Sequence, residues 1–181
     1  VKDLILDPVA YPDAATLQLD ENLGRLNSTT ASGDRDGDGD IDLIHAYGAR
    51  SFTIWKVGPF ASVKQVYDSG SEFEQITARR LPAEFNSNND ENGSFDARSD
   101  DKGPEPEGVT VGEVDGRTYV FTGLERIGGI MVYDVTDPEN PVFVQYVNNR
   151  DFNGDAEAGT AGDLGPEGLE FISADDSPNG V

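Results

Sequence analysis

The sequence has no cysteine and a single histidine, His45. The first absence excludes disulfides, and with them any reading of redox compartment. The second excludes a histidine-based catalytic triad or a multi-histidine zinc centre within the chain. No serine sits in a GxSxG turn, so the hydrolase nucleophile elbow is missing too. Lysine is scarce. Lys2, Lys56, Lys64 and Lys102 are the only four, in a chain whose 13 bases face 35 acids for a net charge of −22. Such a surface repels nucleic acid and anionic membranes, so neither is an expected partner. No apolar run approaches the roughly 18 residues of a membrane span.

What is present suits a folded protein. The chain has 181 residues and 36% hydrophobic content, with nine Phe, six Tyr and one Trp, enough for one domain with a core. An acid-rich, lysine-poor surface suits high-salt water or a place rich in divalent cations, which points to an extracellular or cell-surface location. Short β-branched and aromatic runs bounded by Gly, Asp, Asn and Pro place strands at 42–47, 51–57, 63–68, 108–113, 117–123, 129–135, 142–147 and 168–173. Helical periodicity surfaces only weakly, near Glu72 to Arg80. The expected class is all-β, built of antiparallel meanders joined by turns such as Asp115-Gly116 and the corner from Thr136 to Pro141.

The strands repeat. GPEPEGVTV at 103–111 and GPEGLEFI at 165–172 share a Pro-Glu-Gly turn feeding an apolar strand, with Pro106 and Pro166 60 residues apart. SFTIWKV followed by VKQVYDSG parallels GIMVYDVTD followed by VFVQYVNN. Repeats of this size, four strands each, point to β-propeller blades, with a β-sandwich as the other reading. On the propeller reading the whole of 1–181 is a partial propeller: a calcium loop at 33–42, a complete blade at about 106–148, and the start of the next blade at 166–181. Because a propeller needs at least about four blades to close, the chain is expected to be a piece of a longer protein.

The stretch GDRDGDGDID, residues 33–42, sets five aspartates at alternate positions with glycines between. Like charges this close repel, so the stretch is either a solvated acidic turn or a cation site. Calcium takes six to eight hard oxygen ligands, and a loop supplies them from alternate positions. Counting Asp34 as the first position puts Asp36 third, Asp38 fifth, Gly39 sixth, the Asp40 carbonyl seventh and Asp42 ninth. His45 falls where an EF-hand carries its bidentate Glu, and the flanks are strand-like, so an EF-hand is excluded. What remains is similar to the DxDxDGxxD calcium loops of integrin-type propeller blades and thrombospondin repeats. The expected ligands are the Asp34, Asp36, Asp38 and Asp42 side chains and the Asp40 carbonyl around Ca2+ in a structural role.

Glu105, Glu107, Glu125, Arg126 and Glu167 interrupt or adjoin otherwise apolar strands. Two readings stand. The carboxylates pair with Arg126, Arg117 and strand-edge amides to fix blade junctions, or Glu107, Glu125, Arg126 and Glu167 line a channel, similar to propeller phytases, with Arg126 as a phosphate fork. Asp151, Asp155, Glu157 and Asp163 form either a solvated loop or a second cation site. Asn27-Ser28-Thr29 and Asn92-Gly93-Ser94 match the N-glycosylation pattern.

GARSFTIW, DSGSEFEQITA, the block from RSDDKGPEPEGVTV to YVNNRDF, and DLGPEGLEFISADDSPNG together resemble the C-terminal half of secreted bacterial proteins of the choice-of-anchor I family. The resemblance covers nearly the whole chain from about Tyr11. It implies a seven-bladed-type propeller, secretion, and surface attachment by an anchor that differs between members. Some members carry an alkaline phosphatase label, and some are fused to nucleotidase-like domains. Two functions follow as expectations. One is a calcium-stabilised surface module of scaffold or adhesive role, whose partners are other surface proteins or the remaining blades of its precursor. The other is a calcium-dependent phosphoester hydrolase acting on a phosphoester substrate.

Overall fold

The structure, a computed structural model, describes residues 1–48 and 50–180. Val181, the last residue of the expected partial blade, lies outside the described residues, as does Ala49. The chain divides into two compact units, the first of Val1–Gly48 with Ser99–Lys102, the second of residues 50–98 and 103–180. Strands in antiparallel sheets dominate and helices are few, so the all-β expectation holds.

The first unit carries a short helix α1 (Ala14–Leu17) and a two-stranded sheet of β1 (Ser28–Thr29) and β2 (His45–Ala46). The strand expected at 42–47 shrinks to β2, because Asp42 and Leu43 donate their amides to the Gly33 carbonyl at 2.9 and 3.0 Å and so close the acidic loop instead. Leu6 and Ile41 form a parallel bridge and are both buried.

The second unit holds the main sheet and the core. β5 (Pro106–Val114), β6 (Arg117–Leu124), β7 (Ile130–Asp134) and β8 (Val142–Val147) pair in sequence order, all antiparallel. β3 (Thr53–Val57) and β4 (Val63–Asp68) form a separate hairpin, followed by α2 (Glu72–Arg80). The Asp115-Gly116 turn has φ of 52° and 74°, the left-handed pair that a two-residue hairpin turn needs. In α2, Phe73, Ile76 and Thr77 are buried at i, i+3 and i+4, while Glu72 and Glu74 at its start and Arg79 and Arg80 at its end complement the helix dipole. That apolar stripe packs with Val120, Leu124, Ile127, Met131 and Tyr133. Phe52 and Phe143 meet the Tyr133 ring edge-on at 5.1 and 5.5 Å, and the Tyr133 hydroxyl donates to Glu72 at 2.8 Å.

Val120 and Val132 are both buried, on opposite faces of the sheet, since Val120 pairs with Tyr133 and Val132 with Phe121; Ile130 is half-buried, but Val144 is 47% exposed. The register shift between Val132 and Tyr133 is the reason. It turns Phe143 and Tyr146, the partners of Tyr133 and Met131, toward the core and leaves Val144 outside.

Residues 168–173 are not a strand. The segment crosses the sheet where side chains are absent: a Cβ on Gly108 would meet the Glu167 carbonyl at 2.8 Å, and one on Gly112 would overlap the Phe171 ring, which stacks on Phe121 at 6.0 Å. Its contacts are made through a sheet face, so no ladder forms. Gly112→Ala is therefore expected to destabilise the protein by about 1–3 kcal/mol, the scale of an overpacked contact, in urea unfolding. An unchanged midpoint would mean that Phe171 is not seated on the sheet.

Candidate calcium loop and buried carboxylate group

In the first unit, the acidic loop folds its aspartates onto its own amides. Asp34 accepts from Gly37 N at 2.6 Å and from Gly39 N at 3.0 Å, and Asp42 accepts from Arg35 N at 2.7 Å. Asp36 and Asp38 accept from Asp38 N and Asp40 N at 3.3 and 3.1 Å. Gly37 and Gly39 have φ of 82° and 101°, a left-handed backbone in which a side chain would be strained, which is why glycine separates the acids here. Carboxylate oxygens of Asp34, Asp36 and Asp42 come within 4.8 Å of one another. So do those of Asp7, Asp40 and Asp42, so Asp42 belongs to both groups.

Asp7 has no signal in the sequence. It arrives through the Leu6–Ile41 bridge, with Asp7 N donating to the Ile41 carbonyl at 3.2 Å and Ile41 N to the Ile5 carbonyl at 2.8 Å. Asp38 lies outside both groups among the described residues, but its charge raises the pKa of Asp36 and Asp40. Burial, then Asp38 and Asp7, push Asp40 up to about 6. Its Oδ1 is buried without a hydrogen-bond partner. Convergent hard oxygens, repelling one another and leaving a buried carboxylate oxygen unsatisfied, are a donor set that fits calcium. The Asp40 side chain thus joins the candidate donors, beyond the carbonyl expected from spacing.

In the second unit, the sequence candidates Glu107, Glu125 and Arg126 come together around Glu105. Oxygens of Glu105, Glu107 and Glu125 lie within 4.8 Å of one another. Glu105, whose side chain is fully buried, accepts from Arg98 Nη2 at 2.6 Å and Nε at 3.2 Å. Arg126 spreads its three nitrogens: Nε lies 3.2 Å from Glu105, Nη2 3.1 Å from Glu125, and Nη1 donates to Asn89 at 3.0 Å. Burial pushes the Glu125 carboxyl up, Arg126 opposes this, and Glu107 and Glu105 add to the rise. Glu167 is exposed and lies outside this carboxylate group; its backbone abuts the start of β5 at Gly108. Glu105 was an expected carboxylate of the arginine-paired reading, outside the channel set, whereas Arg98 carries no signal in the sequence. Both sit in a polar stretch, and only the fold closes Gly103 N onto the Arg98 carbonyl at 2.8 Å to bring the two together.

Asp151, Asp155 and Asp163 are each held separately, by Asn153 N, Ala158 N and the Asn149 side chain. With Glu157 they form no three-carboxylate group among the described residues. Asn92 donates to the Gly154 carbonyl, and Ser94 of the same sequon is buried.

The choice-of-anchor I domain profile matches residues 1–138. The chain belongs to the choice-of-anchor I family. Among curated proteins it is similar to Gigasin-3a of Magallana gigas, 37% identical over 122 residues, which is 65% of this chain and 42% of that protein. It is also similar to the mesenchyme-specific cell surface glycoprotein of Strongylocentrotus purpuratus, 28% identical over 106 residues, 51% of this chain and 13% of that protein. The matched region thus spans less than half the length of either relative. No solved structure matches the chain. None of its helices is long and apolar enough to cross a membrane, among the described residues.

Proposed function

We propose that this member of the choice-of-anchor I family is an extracellular or cell-surface module of scaffold or adhesive role, its acidic loop held in shape by calcium. The observation that carries the reading is the pair of carboxylate groups, Asp34, Asp36 and Asp42 and Asp7, Asp40 and Asp42, that share Asp42 on a loop whose glycines allow the turn. Each carboxylate brought there without a cation adds repulsion, and a divalent ion reverses the sign of that term. The net charge of −22 and a relative named as a cell surface glycoprotein support the location. The consecutive meander β5–β8 supports reading that sheet as one propeller blade. Isothermal titration of chelator-stripped protein with calcium tests the loop: binding that Asp34→Ala removes is expected, and no heat above dilution would sink it.

The hydrolase alternative places Glu107, Glu125, Arg126 and Glu167 around a channel; Glu107 and Glu125 instead gather with Glu105 beside two arginines, and Glu167 lies outside the group. Arg126 ion-pairs with Glu105 and Glu125 and donates from Nη1 to Asn89, although its Nε makes no hydrogen bond, and these contacts suit a partly buried strut better than a fork awaiting phosphate. We therefore assign the group to holding the start of β5 and the end of β6 to Arg98. A chromogenic phosphate ester should stay uncleaved with or without calcium. Calcium-dependent turnover lost in Glu107→Gln would restore the hydrolase reading.

A further inference from the structure

The β3–β4 and β7–β8 hairpins are counterparts. Each is antiparallel, and each shifts register at the same place, between Ile54 and Trp55 and between Val132 and Tyr133. Their tips differ. The β7–β8 tip is a solvated polar turn in which Asp137 accepts from Glu139 N and the Asn140 side chain. The β3–β4 tip instead presents Phe60, fully exposed at 104% and held at φ 58°. A bulky residue in left-handed backbone is strained, and an exposed phenyl recovers no burial energy within the chain. Val57 and Val63 are exposed at its base. Lys56 stands directly opposite Lys64, a destabilising like-charge pair, and neither lysine has an ion pair among the described residues. These are two of the four lysines in a chain of net charge −22. The tip is an apolar, cationic knob on an anionic protein.

An apolar groove lies on the same unit. It has a volume of about 560 Å3 and runs between β3 and the β5–β6 face, walled by Trp55, Val109, Val111, Val120 and Glu107. Val109 and Val111 are 59% and 57% exposed; alternation along β5 sets them on one face with the exposed Glu113, and Glu107, beyond the register shift between Pro106 and Val109, lines the same groove. Symmetric pairing of two β5 edges centred on Thr110 would put Glu107 opposite Glu113 of the other copy, which is repulsive. A knob in the groove sets lysines against those glutamates instead. Repulsion between the two anionic bodies is screened beyond about 8 Å at 0.15 M salt.

We propose that copies of this chain associate head to tail, the Phe60 tip of one entering the Val109–Val111 groove of the next, with Lys56 and Lys64 facing Glu107 and Glu113. Each copy keeps one free knob and one free groove, so the contact grows as an open chain. Sedimentation equilibrium of the chain at 0.15 M NaCl tests this, with emission of the lone tryptophan, Trp55, read in parallel. Average mass should rise continuously past the dimer with concentration, and the emission should shift to the blue. Phe60→Ser should weaken association about tenfold, the scale of truncating an aromatic anchor, with no change in thermal unfolding. Lys56→Glu with Lys64→Glu should weaken it similarly, and adding Glu113→Lys to that variant should restore part of it. A monomer at every concentration would overturn the proposal, as would a closed dimer indifferent to Phe60→Ser. So would a buried-type Trp55 emission in the dilute monomer, which would mean the chain fills its own groove. Binding to phosphatidylcholine vesicles that Phe60→Ser abolishes would assign the tip to a lipid surface and likewise refute it.

Discussion

Glu105→Ala is expected to lose about 3–5 kcal/mol of unfolding free energy, the usual result of removing one partner from a buried ion pair. The Glu105 side chain is fully buried and has Arg98 at 2.6 Å and Arg126 at 3.2 Å. Deleting it leaves two guanidiniums facing each other without the carboxylate between them. A domain is stable by only about 5–15 kcal/mol in total, so the change should be plain in urea unfolding. Glu105→Gln keeps the shape and part of the hydrogen bonding but not the charge, and its loss should be smaller. Arg126→Met should also cost less than Glu105→Ala, because Arg126 is 25% exposed and water screens part of its contribution. A Glu105→Ala protein within about 1 kcal/mol of wild type would mean that the group is not the strut joining β5 and β6 to Arg98.

Saturating calcium is expected to raise the melting temperature, and Asp42→Ala to abolish the rise, since Asp42 belongs to both carboxylate groups of the loop. At a free calcium concentration one hundred times Kd, linkage gives about 2.7 kcal/mol. The pH dependence has a definite sign. Asp40 is raised from 3.8 to about 6, mainly by burial, and Asp36 is raised as well, mainly by Asp38. In chelator the folded loop holds a proton that the unfolded chain releases, so this contribution to stability is present below pH 3.8 and lost as pH rises through about 6. Calcium competes with that proton, so the melting increment due to calcium should grow between about pH 5 and pH 7. A flat increment across that range would show that calcium does not displace the Asp40 proton, and an equal one in Asp42→Ala that calcium binds away from this loop. Asp7→Asn should reduce the increment, an outcome that loop spacing alone does not foresee.

The sequence by itself determined what depends on neighbours along the chain. Alternating aspartates and glycines at 33–42 were legible as a tight acidic turn with the spacing of a candidate cation site, because spacing within one turn is a local property. β5 to β8 were legible, each within a few residues, because a meander needs only period-two alternation and short turns. The family was legible for a similar reason, in continuous runs such as DSGSEFEQITA. The tertiary structure decided what depends on pairing across distance. The strand pattern of 168–173 is real, but a strand needs a ladder partner, and this segment meets glycines on a sheet face instead. Val144 alternates correctly and still faces out, because a register shift in its neighbour changes which residues of an edge strand meet the core. Asp7 reaches the loop, and Arg98 reaches Glu105, through backbone contacts that no spacing encodes. Those contacts set which carboxylates share a site and which are neutralised by arginine. Charge and residue type can be read along the chain, whereas the low-dielectric surroundings that give them their energies are made only when distant segments close around them.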